Sequence, residues 1–174
     1  DRGLALSYAE YVGDDPARIT DVLASAFASR DIVFSTGGIG ATPDDHTRQC
    51  AAQALGVPLQ LHPEAADLIR DRMRTLAQEQ GLPYDPEHPD NVHRMNMGCF
   101  PLGASIIPNP YNKIPGFSCT GAAGGCVHFF PGFPVMAWPM MEWVLDTHYA
   151  GLFGSQAKVE RSVIVYEAME ASLT

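Results

Sequence analysis

A glycine-rich loop between a short apolar stretch and an acidic segment constrains the fold of this chain more than any other feature. Residues 31–47 read Asp-Ile-Val-Phe-Ser-Thr-Gly-Gly-Ile-Gly-Ala-Thr-Pro-Asp-Asp-His-Thr. The pattern predicts a strand at 32–35, a sharp turn, and a helix whose first N–H groups are unpaired. The glycines let the backbone approach a ligand with no Cβ in the way. In α/β proteins such a junction commonly binds a phosphorylated ligand.

The same junction also has a purely structural interpretation. Thr42 lies three residues before Asp45, as in a capping box, and Pro43 suits the first position of a helix. On this interpretation Asp44 and Asp45 only stabilise a helix that runs from Pro43 and stops at Gly56. The glycine loop alone therefore leaves binding and structural functions open.

The composition argues against some classes of partner. The 174 residues carry a formal net charge of −9, whereas contacts with nucleic acid or anionic membranes need clustered Lys and Arg. Charged residues make up 18%, below the roughly 25% of an average soluble domain, which indicates a surface partly covered in a homo-oligomer. The four cysteines and six histidines lack zinc-site spacing. No signal peptide or long apolar run is visible, so we expect a cytoplasmic protein.

The first part of the chain alternates strand-like and helix-like segments. We predict a strand over residues 4–12 and a helix that begins after Asp15 with Pro16 in its first turn. An amphipathic stripe follows, made of Ile19, Val22, Leu23, Ala26 and Phe27. With the strand at 32–35 and the helix after it, this order predicts an α/β fold with parallel strands and right-handed crossovers.

The second part predicts further helices and shorter strands. We expect helices at 63–81 and 91–97 and from Pro134, strands at 104–107, 116–119, 127–130 and 159–166, and a hairpin tip at Gly121–Gly125. Pro139 either kinks the last helix or opens its main body. We predict that residues 1–153 form one α/β domain and that residues 154–174 begin a small second domain. The apolar segment 133–143 is a candidate subunit contact.

Taken together, several segments resemble the molybdopterin-binding domain superfamily of molybdenum-cofactor biosynthesis proteins. They are Val12-Gly-Asp-Asp15, Ser35-Thr-Gly-Gly-Ile-Gly-Ala-Thr-Pro-Asp-Asp-His-Thr47, Asn109-Pro110, Ile114-Pro-Gly-Phe117 and Phe130-Pro-Gly-Phe-Pro134. The resemblance covers nearly the whole chain and is closest to the amino-terminal domain of competence/damage-inducible CinA proteins. It implies a three-layer α/β/α sandwich with a mostly parallel sheet and a ligand at the carboxyl ends of the strands.

The resemblance also implies a set of site residues. Asp14 and Asp45 match acidic positions of the family and would be the catalytic residues and the metal ligands. Ligand-binding positions would be Thr36, Gly37, Gly38, Gly40, Thr47, Asn109, Pro115, Gly116, Pro131 and Gly132. Such acids can hold Mg²⁺ or another divalent metal through water against a diphosphate, or act as a general base. The alternative for Asp14 and its neighbour Asp15 is helix capping.

The sequence departs from the family pattern in three places. The family's first strand, with its glycine and acidic loop, would lie ahead of residue 1. Met136 stands where relatives often have glutamate, and Asn112-Lys113 replaces a common Gly-Thr. A lost carboxylate would lower metal affinity or abolish hydrolysis and leave binding intact, while Lys113 is a candidate contact for a diphosphate.

Three functions follow as hypotheses. The first is a domain that binds a nucleotide- or pterin-containing diphosphate and hydrolyses it with a divalent metal, with ADP-ribose as the substrate that relatives suggest. The second is a molybdenum-cofactor biosynthesis enzyme that adenylylates molybdopterin. The third is a non-catalytic ligand-binding or oligomerisation module. His46 and His128 lie near the motifs, and we interpret both as structural residues.

Overall fold

The computed structural model describes residues 2–154. Its helices are α1 (Pro16–Ala28), α2 (Thr47–Leu55), α3 (Pro63–Glu79), α4 (Pro89–Arg94) and α5 (Pro134–His148), and two short 3₁₀ helices cover Met95–Gly98 and Ala150–Leu152. Its strands are β1 (Ile32–Thr36), β2 (Leu59–Leu61), β3 (Cys99–Pro101), β4 (Ser105–Ile107), β5 (Gly116–Thr120) and β6 (Cys126–Phe130). The strand predicted at 159–166 and the second domain predicted after residue 154 lie outside the described residues.

The central sheet has the strand order β1-β6-β5-β4. β1 is parallel to β6, whereas β5 is antiparallel to both of its neighbours, β6 and β4. β1, β6 and β4 therefore run in one direction and β5 runs against them. The antiparallel pairing of β5 with β6 follows from the predicted hairpin tip between them, because so short a connection can join only antiparallel strands. β2 and β3 form a separate antiparallel pair.

Strand β6 connects the two hydrophobic layers of the domain. Val127 and Phe129 pack on one face of the sheet with residues of α1 and α2, and Phe130 packs on the other face with Met140 and Val144 of α5. Successive side chains of a strand point to opposite faces, so a continuous apolar strand is buried on both. Helices on both faces of one sheet give the α/β/α sandwich that the sequence predicted.

Helix α1 forms as its local signals predict. The Asp15 carboxylate accepts a hydrogen bond from the Ala17 N–H (3.0 Å), and Pro16 occupies the first turn. Leu23, Ala26 and Phe27 are buried, which confirms the amphipathic stripe. The hairpin tip packs on the end of α1 so closely that a Cβ at Gly121 would collide with the Phe27 carbonyl oxygen.

Residues 4–12 do not form the predicted strand. The described segment before α1 contains no strand or helix, and Leu6 and Tyr11 are 84% and 100% exposed. Strand geometry depends on a neighbour that pairs with the backbone N–H and C=O groups. Within the described residues β1 pairs with β6 and with no other strand. The apolar and aromatic residues of this segment were therefore not sufficient to make it a strand.

Helix α2 begins later than predicted, at Thr47 instead of Pro43. The residues before it form a turn in which the Asp45 N–H donates to the Thr42 carbonyl (3.0 Å). The Thr47 N–H donates to the Gly38 carbonyl (3.0 Å), which fixes the helix start against the glycine loop. The predicted stop is confirmed, since Gly56 follows Leu55 with a φ of +67°.

Helix α5 begins at Pro134 and continues through Pro139, so the alternative in which Pro139 opens its main body is wrong. Its inner face is core, while Phe133, Val135 and Trp138 are exposed by 67%, 56% and 66%. These exposed side chains belong to the predicted subunit contact, which stays a prediction. Among residues 2–154, no helix combines the length and the apolar character needed to cross a membrane.

His128 has a structural environment, as the sequence analysis proposed. Its side chain is 2% exposed and joins the Ser118 hydroxyl at Nδ1 and the Tyr149 hydroxyl at Nε2, both at 2.7 Å. Burial, with a smaller contribution from His148, lowers the pKa of His128 to about 4. The imidazole is therefore neutral at pH 7 and ties β5 and β6 to the end of α5.

Candidate functional site

The ends of β1 and β6 bring the two main glycine segments together. The parallel register places Thr36 opposite Phe130, and the Gly37 N–H donates to the Phe130 carbonyl (2.9 Å). A Cβ on Gly132 would lie 3.5 Å from the Gly37 Cα. The predicted ligand-binding residues of these two segments therefore meet at one end of the sheet, which we call the strand-end site. They are Thr36, Gly37, Gly38, Gly40, Pro131 and Gly132.

The backbone of the loop requires glycine at two of its positions. Gly37 and Gly38 have φ angles of +94° and +69°, which an L side chain rarely adopts. A Cβ on Gly38 would also collide with the Thr47 hydroxyl. Thr47 is 7% exposed and lies against the loop, so it fixes the loop to α2. A Cβ on Gly37 would meet no atom within 4 Å, which leaves that position open to a ligand.

Asp45 lies against the same loop. Its Oδ2 accepts hydrogen bonds from the Thr42 N–H (2.8 Å) and the Thr42 hydroxyl (2.5 Å), and a Cβ on Gly40 would lie 2.6 Å from that oxygen. The capping-type contact between Thr42 and Asp45 thus exists, although it stabilises a turn and not the first turn of a helix. The nearby Thr42 side chain, followed by the Asp44 backbone N–H, lowers the pKa of Asp44.

The second predicted acid lies on a different element. Asp14 is exposed and directly precedes Asp15, the N-cap of α1. In the part of the chain that the structure describes, no group of three or more His, Cys, Asp and Glu side chains is arranged to hold a metal ion. Any metal at Asp45 or Asp14 would therefore need ligands from the bound molecule or from water.

The predicted ligand residues between β4 and β5 are occupied by contacts within the protein. Asn109 is 5% exposed; its amide nitrogen donates to the Asn112 side chain (2.8 Å) and the Ile114 carbonyl (3.0 Å), and its oxygen accepts the Tyr111 N–H (3.0 Å). Pro115 is fully buried. A Cβ on Gly116 would collide with the backbone of β6. These contacts within the protein account for the residue types at all three positions, so a bound ligand is not needed to explain them.

Lys113 and Met136 flank the same loop. Lys113 is exposed and has a φ of +67°, a strained value for a residue with a side chain. The Asn112 amide donates to the Met136 sulfur (3.2 Å), and Met136 packs against the core on the α5 side of the sheet. The position at which the family resemblance led us to expect a glutamate is therefore filled by a packed thioether.

A cleft that the sequence analysis missed lies beside the glycine loop. Its volume is ≈ 320 Å³, and Ala41, Thr42, Pro43, Asp45, His46, Arg48, Gln49, Leu59, His93, Asn96 and Cys99 line it. We call it the α2–α4 cleft. Its walls come from the loop before α2, α2 and β2 on one side and from α4, the following 3₁₀ helix and β3 on the other. These two parts are far apart in sequence. The sequence feature that could have indicated this cleft was Arg48. It is a cation in the first turn of a helix, where the helix dipole disfavours positive charge.

Arg48 and His93 hold the loop from opposite walls of this cleft. Arg48 is 3% exposed, and its Nη2 donates to the Gly40 carbonyl (2.6 Å). His93 Nε2 donates to the Ala41 carbonyl (2.6 Å), because a carbonyl can only accept. Burial lowers the pKa of Arg48, and the nearby Cys99 and Asp45 oppose that shift. The guanidinium remains a cation at pH 7 because its ordinary pKa is so high.

Comparison with known proteins agrees with this geometry. Residues 1–149 match the family described as "Probable molybdopterin binding domain". A "CinA-like protein" of Gloeobacter violaceus is 36% identical over 132 residues, which are 76% of this chain and 29% of that protein. A "Putative competence-damage inducible protein" of Alkaliphilus metalliredigens is 34% identical over 143 residues, 82% of this chain and 32% of that protein.

A solved structure supports the fold independently. The crystal structure of the protein CinA, of unknown function, from Thermoplasma acidophilum superposes with a TM-score of 0.60 at 25% identity, and covers 76% of this chain and 71% of that chain. The chain spans about a third of the length of the two curated relatives. The family match over residues 1–149, together with relatives named CinA-like, shows that this chain belongs to the molybdopterin-binding domain family, as a CinA-like member.

Proposed function

We propose that this CinA-like domain binds a nucleotide- or pterin-containing diphosphate at the strand-end site and hydrolyses it with a divalent metal, with ADP-ribose as the first candidate substrate. The observation that supports this most is the open approach to Gly37, which has no atom within 4 Å of its missing Cβ. The start of α2 lies beside it, held by the Thr47–Gly38 hydrogen bond. A diphosphate suits this edge because loop glycines and a helix N-terminus both favour an anion.

The donor set fits one mode of metal binding. The described residues offer no cage of protein ligands, but Mg²⁺ commonly uses one or two carboxylates together with substrate phosphates and waters. Asp45 would contribute its Oδ1, since Thr42 occupies Oδ2. Bound there, the metal would supply charge neutralisation at the diphosphate, and the loop would position the ligand.

A non-catalytic ligand-binding module is the second candidate, and Met136 favours it. The thioether accepts the Asn112 amide and packs against the core, so this position offers no carboxylate for a metal or for a base. This candidate retains the same ligand at the strand-end site. It differs from the first candidate in one result, which is binding without product.

The test combines calorimetry with product analysis, using ADP-ribose and Mg²⁺. The proposed hydrolase predicts binding and turnover. It also predicts that Asp45→Asn lowers turnover by about 100-fold or more, because a neutral amide would hold the metal poorly and cannot act as a base. Asp31→Asn is the matched control, because Asp31 is exposed and precedes β1, at the end of the strand opposite the strand-end site. Binding without turnover would favour the second candidate. Absence of both binding and turnover would reject the ADP-ribose proposal, and molybdopterin would be tested next.

A further inference from the structure

The α2–α4 cleft contains a buried cation that its protein neighbours satisfy only in part. Arg48 is 3% exposed and donates from Nη2 to the Gly40 carbonyl. Its Nε, which is buried as well, has no hydrogen-bond acceptor among residues 2–154. An unpaired buried N–H on a charged group costs folding free energy, so a residue kept in this state indicates a bound partner.

The surrounding groups favour an anion as that partner. Arg48 is in the first turn of α2, where the helix dipole adds positive potential and N–H groups lack helical acceptors. Asp45 is the only carboxylate among the cleft-lining residues; its Oδ2 accepts two hydrogen bonds from Thr42. Within the described residues it forms no ion pair with Arg48 at 4 Å or less.

Polar side chains complete the lining of the cleft. Gln49 and Asn96 carry side-chain amides, and His46 carries an imidazole. His93 donates its Nε2–H to the Ala41 carbonyl and therefore holds the loop instead of donating to a ligand. A planar guanidinium together with amide and imidazole groups matches the several oxygens of a phosphate group.

We propose that the α2–α4 cleft binds a phosphate group, with Arg48 as its buried cation. A volume of ≈ 320 Å³ lies at the lower end of the range for small-molecule sites, which is large enough for a phosphate monoester of nucleotide size. The site goes beyond the proposed function, because β2, β3 and α4 contribute walls that the strand-end site lacks and the proposed hydrolysis does not use Arg48. Asp45 lines this cleft and also lies against the loop of the strand-end site. Free phosphate and a phosphate monoester share this chemistry, and the test uses both.

Cys99 provides a local readout of occupancy. It lines the cleft and is partly exposed, and Cys126 on β6 is partly exposed outside the cleft. We expect inorganic phosphate or AMP to slow alkylation of Cys99 by iodoacetamide and to leave Cys126 unchanged, as followed by peptide mass spectrometry of the whole chain. Sodium chloride at matched ionic strength controls for screening. Protection by both probes identifies the phosphate group as the ligand, and protection by AMP alone identifies a monoester.

A charge variant tests the mechanism without removing Arg48, whose loss would release the Gly40 loop. Gln49→Glu places a carboxylate in the cleft and should weaken phosphate or AMP binding at least about tenfold, the order expected from like charge in a partly buried site. Gln53→Glu is the control, because Gln53 is an exposed residue one turn further along the same helix and does not line the cleft. Absence of Cys99 protection with either probe, or equal weakening by both variants, would overturn the proposal.

Discussion

Replacing Gly37 by alanine should separate ligand recognition from fold stability at the strand-end site. Gly37 has a φ of +94°, and a Cβ there would meet no atom within 4 Å. The cost to the fold is therefore backbone strain alone, which for an alanine in the left-handed region is about 1–2 kcal/mol. For a domain of this size that cost lowers the Tm by roughly 2–8 °C.

The chain offers a closely matched control in Gly124. Its φ is +91°, and a Cβ there would also meet no atom within 4 Å, but it lies in the hairpin tip, at the opposite end of β6 from Gly132. Gly37→Ala and Gly124→Ala should therefore lower the Tm by similar amounts. Only Gly37→Ala places a methyl group in the space that we assign to the diphosphate, so it alone should weaken ADP-ribose binding by about tenfold or more, which is ~1.4 kcal/mol.

Differential scanning fluorimetry and calorimetry with Mg²⁺ and ADP-ribose measure the two effects separately. The reasoning is refuted if wild-type protein binds ADP-ribose and the two variants bind it with equal affinity. A Tm loss several times larger for Gly37→Ala than for Gly124→Ala would also contradict it. That result would mean that the loop supports the fold through contacts that the open space around Gly37 does not reveal.

Two further substitutions test the structural environment of the site. The pKa of the buried His128 is lowered to about 4, so its imidazole stays neutral in the folded protein at pH 5, whereas in the unfolded chain it takes up a proton near pH 6.5. The unfolded state therefore gains protons as pH falls, and the folded state loses stability. Between pH 7.5 and pH 5, His128 should lower the unfolding free energy by about 2 kcal/mol. Urea unfolding at both pH values should show this component in wild type but not in His128→Gln, and identical pH dependence in both would contradict the assignment. Asn109→Ala removes three hydrogen bonds from a buried loop and should lower the unfolding free energy by ~2–3 kcal/mol; a loss below ~0.5 kcal/mol would show that the loop does not depend on them.

Local signals predicted the parts of the fold that depend on neighbours in sequence. Asp15 and Pro16 determine the start of α1 because capping needs only the next few residues. The glycines at 121–125 form the hairpin tip for the same reason, and the long amphipathic pattern after Pro63 forms α3. The resemblance to the family added the layer order, which is confirmed.

The two wrong predictions, which were the strand at residues 4–12 and the start of α2, and the missed cleft all depend on contacts beyond the local sequence. Residues 4–12 have a strand-like pattern but no strand beside them in the described part of the chain. The start of α2 depends on the Thr47–Gly38 hydrogen bond, which the capping pattern at Thr42 cannot reveal. Arg48 shares the cleft with His93, Asn96 and Cys99, which lie more than forty residues further along the chain. The α2–α4 cleft therefore had no sequence signature beyond a cation at an unfavourable helix position.

The burial of β6 on both faces limits the routes by which a ligand can enter and leave the strand-end site. A strand that belongs to both hydrophobic layers exchanges its amide hydrogens only when most of the domain unfolds. The Gly37 amide shares this protection, because it donates to the Phe130 carbonyl. One wall of the site is therefore fixed on the timescale of ligand exchange. Entry and release must take place past the solvent-facing rim, where Gly132 and Phe133 are exposed. Hydrogen exchange at Gly37 should be slow in the free protein, and a bound ligand should slow it by the same factor as the amides of β6.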